Sequence, residues 1–271
     1  MTDVRTEAAG AAPAGSRRNP HGTHIWYELL TTDAEGAKAF YEAVVPGWTV
    51  GPASADHQGY REINARDGHA GGMMELNQEM LAGGAKPVWL GYVGVDDVDE
   101  TVARLQAKGG QVHLPAFDIP GIGRIAMVTD PQGNPFYVMR GAIEEPSTAF
   151  STQAEGHVNW NELTATDPVS ARSFYGELFG WTSDEFMEMG ELGEYRFFAH
   201  HGETIGAISP CMAGAPAGWR YYVRVPSIGT AEQAIKAAGG TISMGPHDVP
   251  GGDKIIIGND PQGAEFALVG K

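Results

Sequence analysis

The sequence predicts an α+β protein built from four tandem βαβββ units grouped into two similar domains. Three observations predict it. The pattern Trp-x-Glu-Leu-x-x-x-Asp occurs twice, in "HIWYELLTTD" and "HVNWNELTATD", which sets Trp26 and Trp160 134 residues apart. The turn Asp-Pro-Gln-Gly also occurs twice, starting at Asp130 and Asp260, 130 residues apart. Between these markers, alternating runs of strand length are interleaved with amphipathic runs of helix length. Offsets this long exceed any solenoid period and signify a duplicated domain. At 271 residues, each copy is long enough to bury its own core.

The elements follow in order. "HIWYELLTTD" reads as a strand, and Asp33 caps the helix "AEGAKAFYEAVV". Short strands are expected at "YREINA" and "GGMMEL", and the loop "AGGAKP" closes the unit. The plan restarts with the strand "WLGYVGV" and the helix "DDVDETVARLQAKGG", where Asp97 and Glu100 form a capping box and Gly109 ends the helix. Strands at "GQVHLP", "RIAMVTD" and "PFYVMRG" complete the first domain. In the second, "VNWNELTATD" precedes a helix with Asp167 as N-cap and Pro168 at the first helical position, where its missing N–H costs nothing. "RYYVRV", the helix "SIGTAEQAIKAAGG", "KIIIGND" and "AEFALVG" then follow. The expected boundaries are a loose tail over 1–20, domains over 21–141 and 157–271, and a linker over 142–156.

The composition narrows the partners. The net charge of −16 and pI of about 4.9 repel phosphate backbones, so nucleic acid and anionic membrane are poor partners. The charge also serves simple solubility. A lone cysteine, Cys211, allows no internal disulfide and no cysteine-based zinc site, which points to a reducing cytoplasm. The N-terminus has no apolar core of a signal peptide.

The segments "DAEGAKAFYEAVVPGW", "DPVSARSFYGELFGW", "VDDVDETVARLQAKGG", "DPQGNPF" and "DPQGAEF" together resemble the vicinal oxygen chelate superfamily, which includes glyoxalase I, bleomycin-resistance proteins and extradiol dioxygenases. The resemblance covers about 23–140 and 157–270 and implies two glyoxalase-like half-barrel domains. The Trp-x-Glu-Leu variant looks closest to two-domain glyoxalase-like proteins often labelled hydroxylases. It further implies metal ligands on the first and last strands of the units. Those positions fall at Trp26 and Trp160, Leu90 and Arg220, and Tyr137 and Ala267. Indole offers no lone pair, leucine cannot ligate and a guanidinium repels a cation. Glu75 is the remaining oxygen donor, with Ser209 in its place in the second domain. Too few ligands remain for the inherited site, so neither metal nor other cofactor is expected, and a non-standard site around Glu75 stays open.

The tryptophans then either fill the concave face of each half-barrel or stack on a flat ligand. Alternation places Glu28 on the face of Trp26 and Glu162 on that of Trp160. Arg220 and Arg224 share the second concavity and can neutralise Glu162, with Tyr222 beside them; the first domain offers Leu90, Tyr92 and Gly94 instead. Glu28 is accordingly the candidate general base or acceptor, with Tyr92 and Tyr137 as donors, and domain one is expected to hold the live site. Trp26, Glu75, Trp160, Glu162, Arg220, Tyr222 and His247 complete the expected ligand-binding set, and His24 and His157 are further candidates to touch a ligand. Three readings remain: a metal-independent lyase, isomerase or hydroxylase acting on a small aromatic or carbonyl-bearing molecule; a non-catalytic binding or resistance protein; and a metal-dependent dioxygenase or lyase. Four units in one chain can form an intramolecular pseudo-dimer, and a further homodimer stays open.

Overall fold

The computed structural model describes residues 18–211 and 216–271. Unit one comprises β1 (His24–Thr31), α1 (Ala34–Val44), β2 (Thr49–Val50), β3 (Arg61–Ala65) and β4 (Gly68–Glu75), followed by the short helix α2 (Gln78–Ala82). Unit two comprises β5 (Val88–Gly94), α3 (Val98–Ala107), β6 (Gln111–Ile119), β7 (Gly123–Thr129) and β8 (Pro135–Gly141). Unit three comprises β9 (Val158–Ala165), α4 (Pro168–Phe179), β10 (Phe186–Glu188), a 3-10 turn (Gly190–Leu192), β11 (Glu194–His200) and β12 (Glu203–Pro210). Unit four comprises β13 (Gly218–Val225), α5 (Ile228–Ala237), β14 (Thr241–Asp248), β15 (Lys254–Asn259) and β16 (Glu265–Gly270).

Each domain forms one eight-stranded sheet. The orders are β2-β3-β4-β1-β5-β8-β7-β6 and β10-β11-β12-β9-β13-β16-β15-β14, so the copies correspond strand for strand. Within a unit the helix carries the chain across to a parallel pairing, β1 with β4 and β5 with β8. The two units of domain one meet along the antiparallel pair β1–β5. The helices start where polar caps meet their first free N–H groups. Asp33 accepts from Gly36 N, Asp97 from Glu100 N and Asp167 from Val169 N and Ser170 N, with Pro168 at the helix start.

The helical faces are shared between domains. Phe40, Tyr41 and Val44 of α1 pack in one core with Tyr221, Ile228, Ile235 and Phe266 of unit four. Leu105, Val128 and Phe136 of unit two pack with Leu163, Phe174, Tyr175 and Phe179 of unit three. Unit one thus pairs with unit four and unit two with unit three. The recurring Phe-Tyr and Asp-Pro-Gln-Gly motifs clasp these pairs. Tyr41 donates to Asp260 Oδ2 at 3.0 Å while accepting from Trp89 Nε1 at 2.9 Å. In the mirrored clasp, Tyr175 donates to Asp130 Oδ2 at 3.0 Å and accepts from Trp219 Nε1 at 3.1 Å. The other carboxylate oxygen of each aspartate accepts backbone N–H groups of its own turn, from Gln132 and Asn134 or from Gln262 and Ala264.

The expected linker, 142–156, packs against domain one: Ala149 is fully buried, Ser147 Oγ donates to Ile25 O and Thr148 Oγ1 donates to His69 O. Its alternation of small and polar residues lets it run along domain one with its hydrogen bonds satisfied there. The expected tail lies mostly outside the described residues, but Arg18 pairs with Glu144 and Asn19 accepts from Ser147 N, which anchors 18–20 to that segment. No described helix is long and apolar enough to cross a membrane.

Candidate functional site

The faces of the two sheets away from the helices, the concave faces expected of the half-barrels, carry the paired Trp and Glu. Along β1, Tyr27 and Leu29 are fully buried in the helix-side core, which turns Trp26, Glu28 and Leu30 to the opposite face. Register then fixes their neighbours: Trp26 lies opposite Tyr92, Glu28 opposite Leu90, and Tyr92 beside Tyr137. The rings of Tyr92 and Tyr137 stack at 4.3 Å with planes 14° apart.

Glu28 is 4% exposed and faces no cation among its hydrogen-bond partners. The Tyr92 hydroxyl donates to Oε2 at 2.9 Å, and the Tyr60 hydroxyl also donates to this carboxyl. Trp26 Nε1 donates to Tyr60 at 2.6 Å, completing a chain from indole to hydroxyl to carboxyl. Burial lifts the Glu28 pKa from 4.5 to about 7, and the two tyrosine hydrogen bonds oppose part of that rise. Tyr60 and Tyr92 are held well above their ordinary value of 10.0, first by burial and then by the charge of Glu28.

Domain two repeats the chain and adds a cation. Trp160 Nε1 donates to Tyr195 at 2.8 Å, and Tyr195 donates to Glu162 Oε2 at 2.6 Å. Tyr222 donates to Glu162 Oε1 at 3.2 Å, and Arg220 Nη1 donates to the same oxygen at 2.8 Å. Arg220 Nε reaches Glu265 at 2.9 Å, so one guanidinium joins two carboxylates. Leu90 and Tyr137 of domain one are replaced by Arg220 and Ala267.

Five other candidate residues lie apart from the Glu28 and Glu162 clusters. Glu75 is exposed and turned to the helix side, where Oε2 accepts from Ala34 N at 3.2 Å at the start of α1. Buried Met73 fixes the alternation, so Met74 takes the concave position and aligns with Ser209. Arg224 binds Asp253 Oδ2 at 2.9 Å instead of Glu162, because the 249–253 turn brings an aspartate closer. His247 lies on the edge strand β14, exposed and opposite Ile255, and not in a loop. His24 is buried in the interdomain core, stacked on Trp181 at 5.2 Å, with both ring nitrogens unpartnered; burial lowers its pKa to about 3. His157 is also buried, its Nε2 meeting Asp67 at 2.7 Å. Tyr60 and Tyr195 were not singled out from the sequence, although a Tyr-Arg pair precedes or opens the matching strand in both halves.

Among the described residues, no three His, Cys, Asp or Glu side chains converge as a metal site would require. The positions corresponding to the usual ligands hold Trp26, Leu90 and Tyr137, or Trp160, Arg220 and Ala267, and this donor set does not fit a divalent cation.

With its two matching eight-stranded sheets of βαβββ units, the chain belongs to the Glyoxalase/Bleomycin resistance protein/Dioxygenase superfamily, whose family model matches residues 23–138 and 156–268. It is 33% identical to "Putative glyoxylase CFP32" of Mycobacterium tuberculosis over 261 residues, covering 92% of this chain and 94% of that protein. It is 26% identical to "Anthracycline biosynthesis protein DnrV" of Streptomyces peucetius over 262 residues, covering 92% and 93%. Among solved structures, the Mn(II)-bound glyoxalase from Novosphingobium aromaticivorans shares the fold with a TM-score of 0.62, 19% identity and coverage of 92% and 82%. The 2,3-dioxygenase LapB from Pseudomonas sp. KL28 does so with a TM-score of 0.63, 15% identity and coverage of 93% of both chains.

Proposed function

We propose that the concave face of domain one binds a small aromatic or carbonyl-bearing molecule and that Glu28 exchanges a proton with it. One observation carries the reading: Glu28 is buried with tyrosine hydroxyls as partners, whereas its twin Glu162 is neutralised by Arg220. A carboxyl with a pKa of about 7 is populated in both acid and base forms near neutrality, which suits proton transfer in either direction. As base it would take a proton from a carbon beside a ligand carbonyl. Tyr137, stacked against Tyr92, would donate a hydrogen bond to the resulting enolate oxygen. Returning the proton at a neighbouring carbon completes an isomerisation. The relatives' names, a glyoxylase and an anthracycline biosynthesis protein, support a carbonyl-bearing small molecule.

A second reading is binding without chemistry, favoured by the donor set that does not fit a metal and by the burial of Glu28 beneath its neighbours. The test is carbon NMR of carboxyl-labelled glutamate during titration with a panel of carbonyl and phenol compounds, charged and uncharged. One resonance should titrate near pH 7, vanish in Glu28→Gln and move first when a panel member binds. A resonance titrating with ordinary carboxylates, or ligands that disturb only domain two, would sink the assignment. Equal affinity of the Gln variant with the ligand recovered unchanged would favour the binder.

A further inference from the structure

The side chains around Glu28 also carry information about charge and softness. Met74, Met80, Met127 and Met139 all pack into the concave cluster of domain one. At the matching positions of Met74, Met127 and Met139, domain two has Ser209, Ile257 and Val269. The shared fold therefore closes without thioethers at these three positions, and their gathering in domain one is not a demand of the architecture. Methionine is unbranched and polarizable, so it can swing aside to admit a ligand and then make favourable sulfur contacts with an aromatic ring.

The cations of this sheet turn away. Arg61, Arg124 and Arg140 lie on the helix side, where they pair with Glu35, Asp99 and Asp96. Glu28 shares the concave side with the phenols of Tyr60, Tyr92 and Tyr137, and the rim near Trp26 carries Glu62 and His69, whose nearest atoms are 3.9 Å apart. An anionic ligand would meet a carboxyl with no arginine or lysine on the concave side of these strands to balance it. The outer margin is apolar as well: Leu114 and Phe117 of β6, opposite Met127 and Ile125, are each 38% exposed. In domain two the partner of Ile255 is His247.

Resting on the reading that this face is a ligand cleft, we propose that it selects an uncharged aromatic molecule bearing a carbonyl or phenol oxygen, and rejects anionic conjugates of the same ring system. The oxygen meets Glu28 and its tyrosines, the rings meet Trp26 and the thioethers, and selectivity comes from the missing cation. Domain two, with Arg220 at the position of Leu90, lacks this preference.

The experiment compares quinizarin with quinizarin-2-sulfonate, which share one ring system and differ by a fixed negative charge. Binding to the full chain is followed by calorimetry and ligand fluorescence. The neutral compound should bind at least tenfold more tightly. Leu90→Arg should shrink that ratio severalfold by supplying the guanidinium that domain two has. The Met74→Leu/Met127→Leu/Met139→Leu variant, which nearly conserves volume, should weaken quinizarin severalfold while its circular dichroism stays native; this variant tests the proposal if Leu90→Arg does not fold. Equal binding of the two compounds, or undiminished quinizarin binding by the leucine variant, overturns the proposal. If the sulfonate wins and still moves the Glu28 resonance, the ligand class falls and the cleft assignment stands. If neither compound binds, the ligand class is refuted; an unmoved Glu28 resonance across the charged and uncharged panel then refutes the cleft assignment too.

Discussion

Replacing Glu28 by glutamine isolates the free energy of burying its charge. The folded carboxyl titrates at about 7 against an ordinary value of 4.5. Below pH 4.5 the proton is bound in both folded and unfolded chains, and the group adds no pH dependence. As pH rises through 4.5 the unfolded chain releases its proton while the folded chain keeps it, so stability falls. The fall ends near pH 7, where the folded form ionises too. A gap of about 2.5 pH units at about 1.4 kcal/mol per unit makes the loss about 3–4 kcal/mol. Glutamine keeps an acceptor oxygen for Tyr92 and carries no charge, so Glu28→Gln should gain about 3–4 kcal/mol on the native chain between pH 4.5 and 7. Urea unfolding of both proteins by tryptophan fluorescence at a series of pH values gives the difference directly. Subtraction cancels the remaining titrating groups. A difference flat with pH, or one that grows as pH falls, would refute the reasoning.

Three other outcomes are expected. His24, held down to a pKa of about 3 from 6.5, stays neutral in the fold while the unfolded chain takes up a proton below pH 6.5. Stability should therefore drop by about 5 kcal/mol on acidification from 6.5 to 3, and His24→Phe should lower the midpoint of acid unfolding followed by near-UV circular dichroism; equal midpoints would contradict this. Arg220→Met strips Glu162 and Glu265 of their shared cation, so it should cost about 3 kcal/mol at pH 8, and a thermal-unfolding loss below about 1 kcal/mol at pH 8 would count against the pairing. Ending the chain at residue 145 exposes the helix-side core that unit four covers, so the fragment should aggregate or bind a hydrophobic dye, and a stable soluble monomer would show that the domains fold independently.

The parts of the site legible in sequence were those set by alternation on one strand. Tyr27 and Leu29 are apolar partners of a polar Glu28, so the face of Trp26 and Glu28 could be read, and the register on β5 put Leu90 and Tyr92 beside them. The pairing of Glu162 with Arg220 followed in the same way. Glu75 was misplaced because Met73 and Met74 are both apolar and leave no polar mark of which one enters the core. Arg224 was misplaced because its choice of Asp253 depends on a turn whose path the strand pattern does not encode. Tyr60 precedes its strand and reaches Glu28 through folding of the chain between them, a proximity that spacing does not reveal. The interdomain clasps use motifs that were visible, but the partnership of Tyr41 with Asp260 is a product of tertiary packing.

The clasp between Tyr41 and Asp260 spans 219 positions of the chain, and it closes a core whose other wall comes from the last strands. During synthesis at about 5–20 residues per second, the apolar side of α1 would wait roughly 10–45 s for its cover. The first half of the protein must spend that interval as an unfinished surface. Unit three, made midway, can already seat against unit two, so assembly would proceed from the centre of the chain outward. The order in which the ribosome delivers the units is thus the reverse of what the first helix needs, and a nascent chain stalled before β16 should be the form most readily captured by a chaperone.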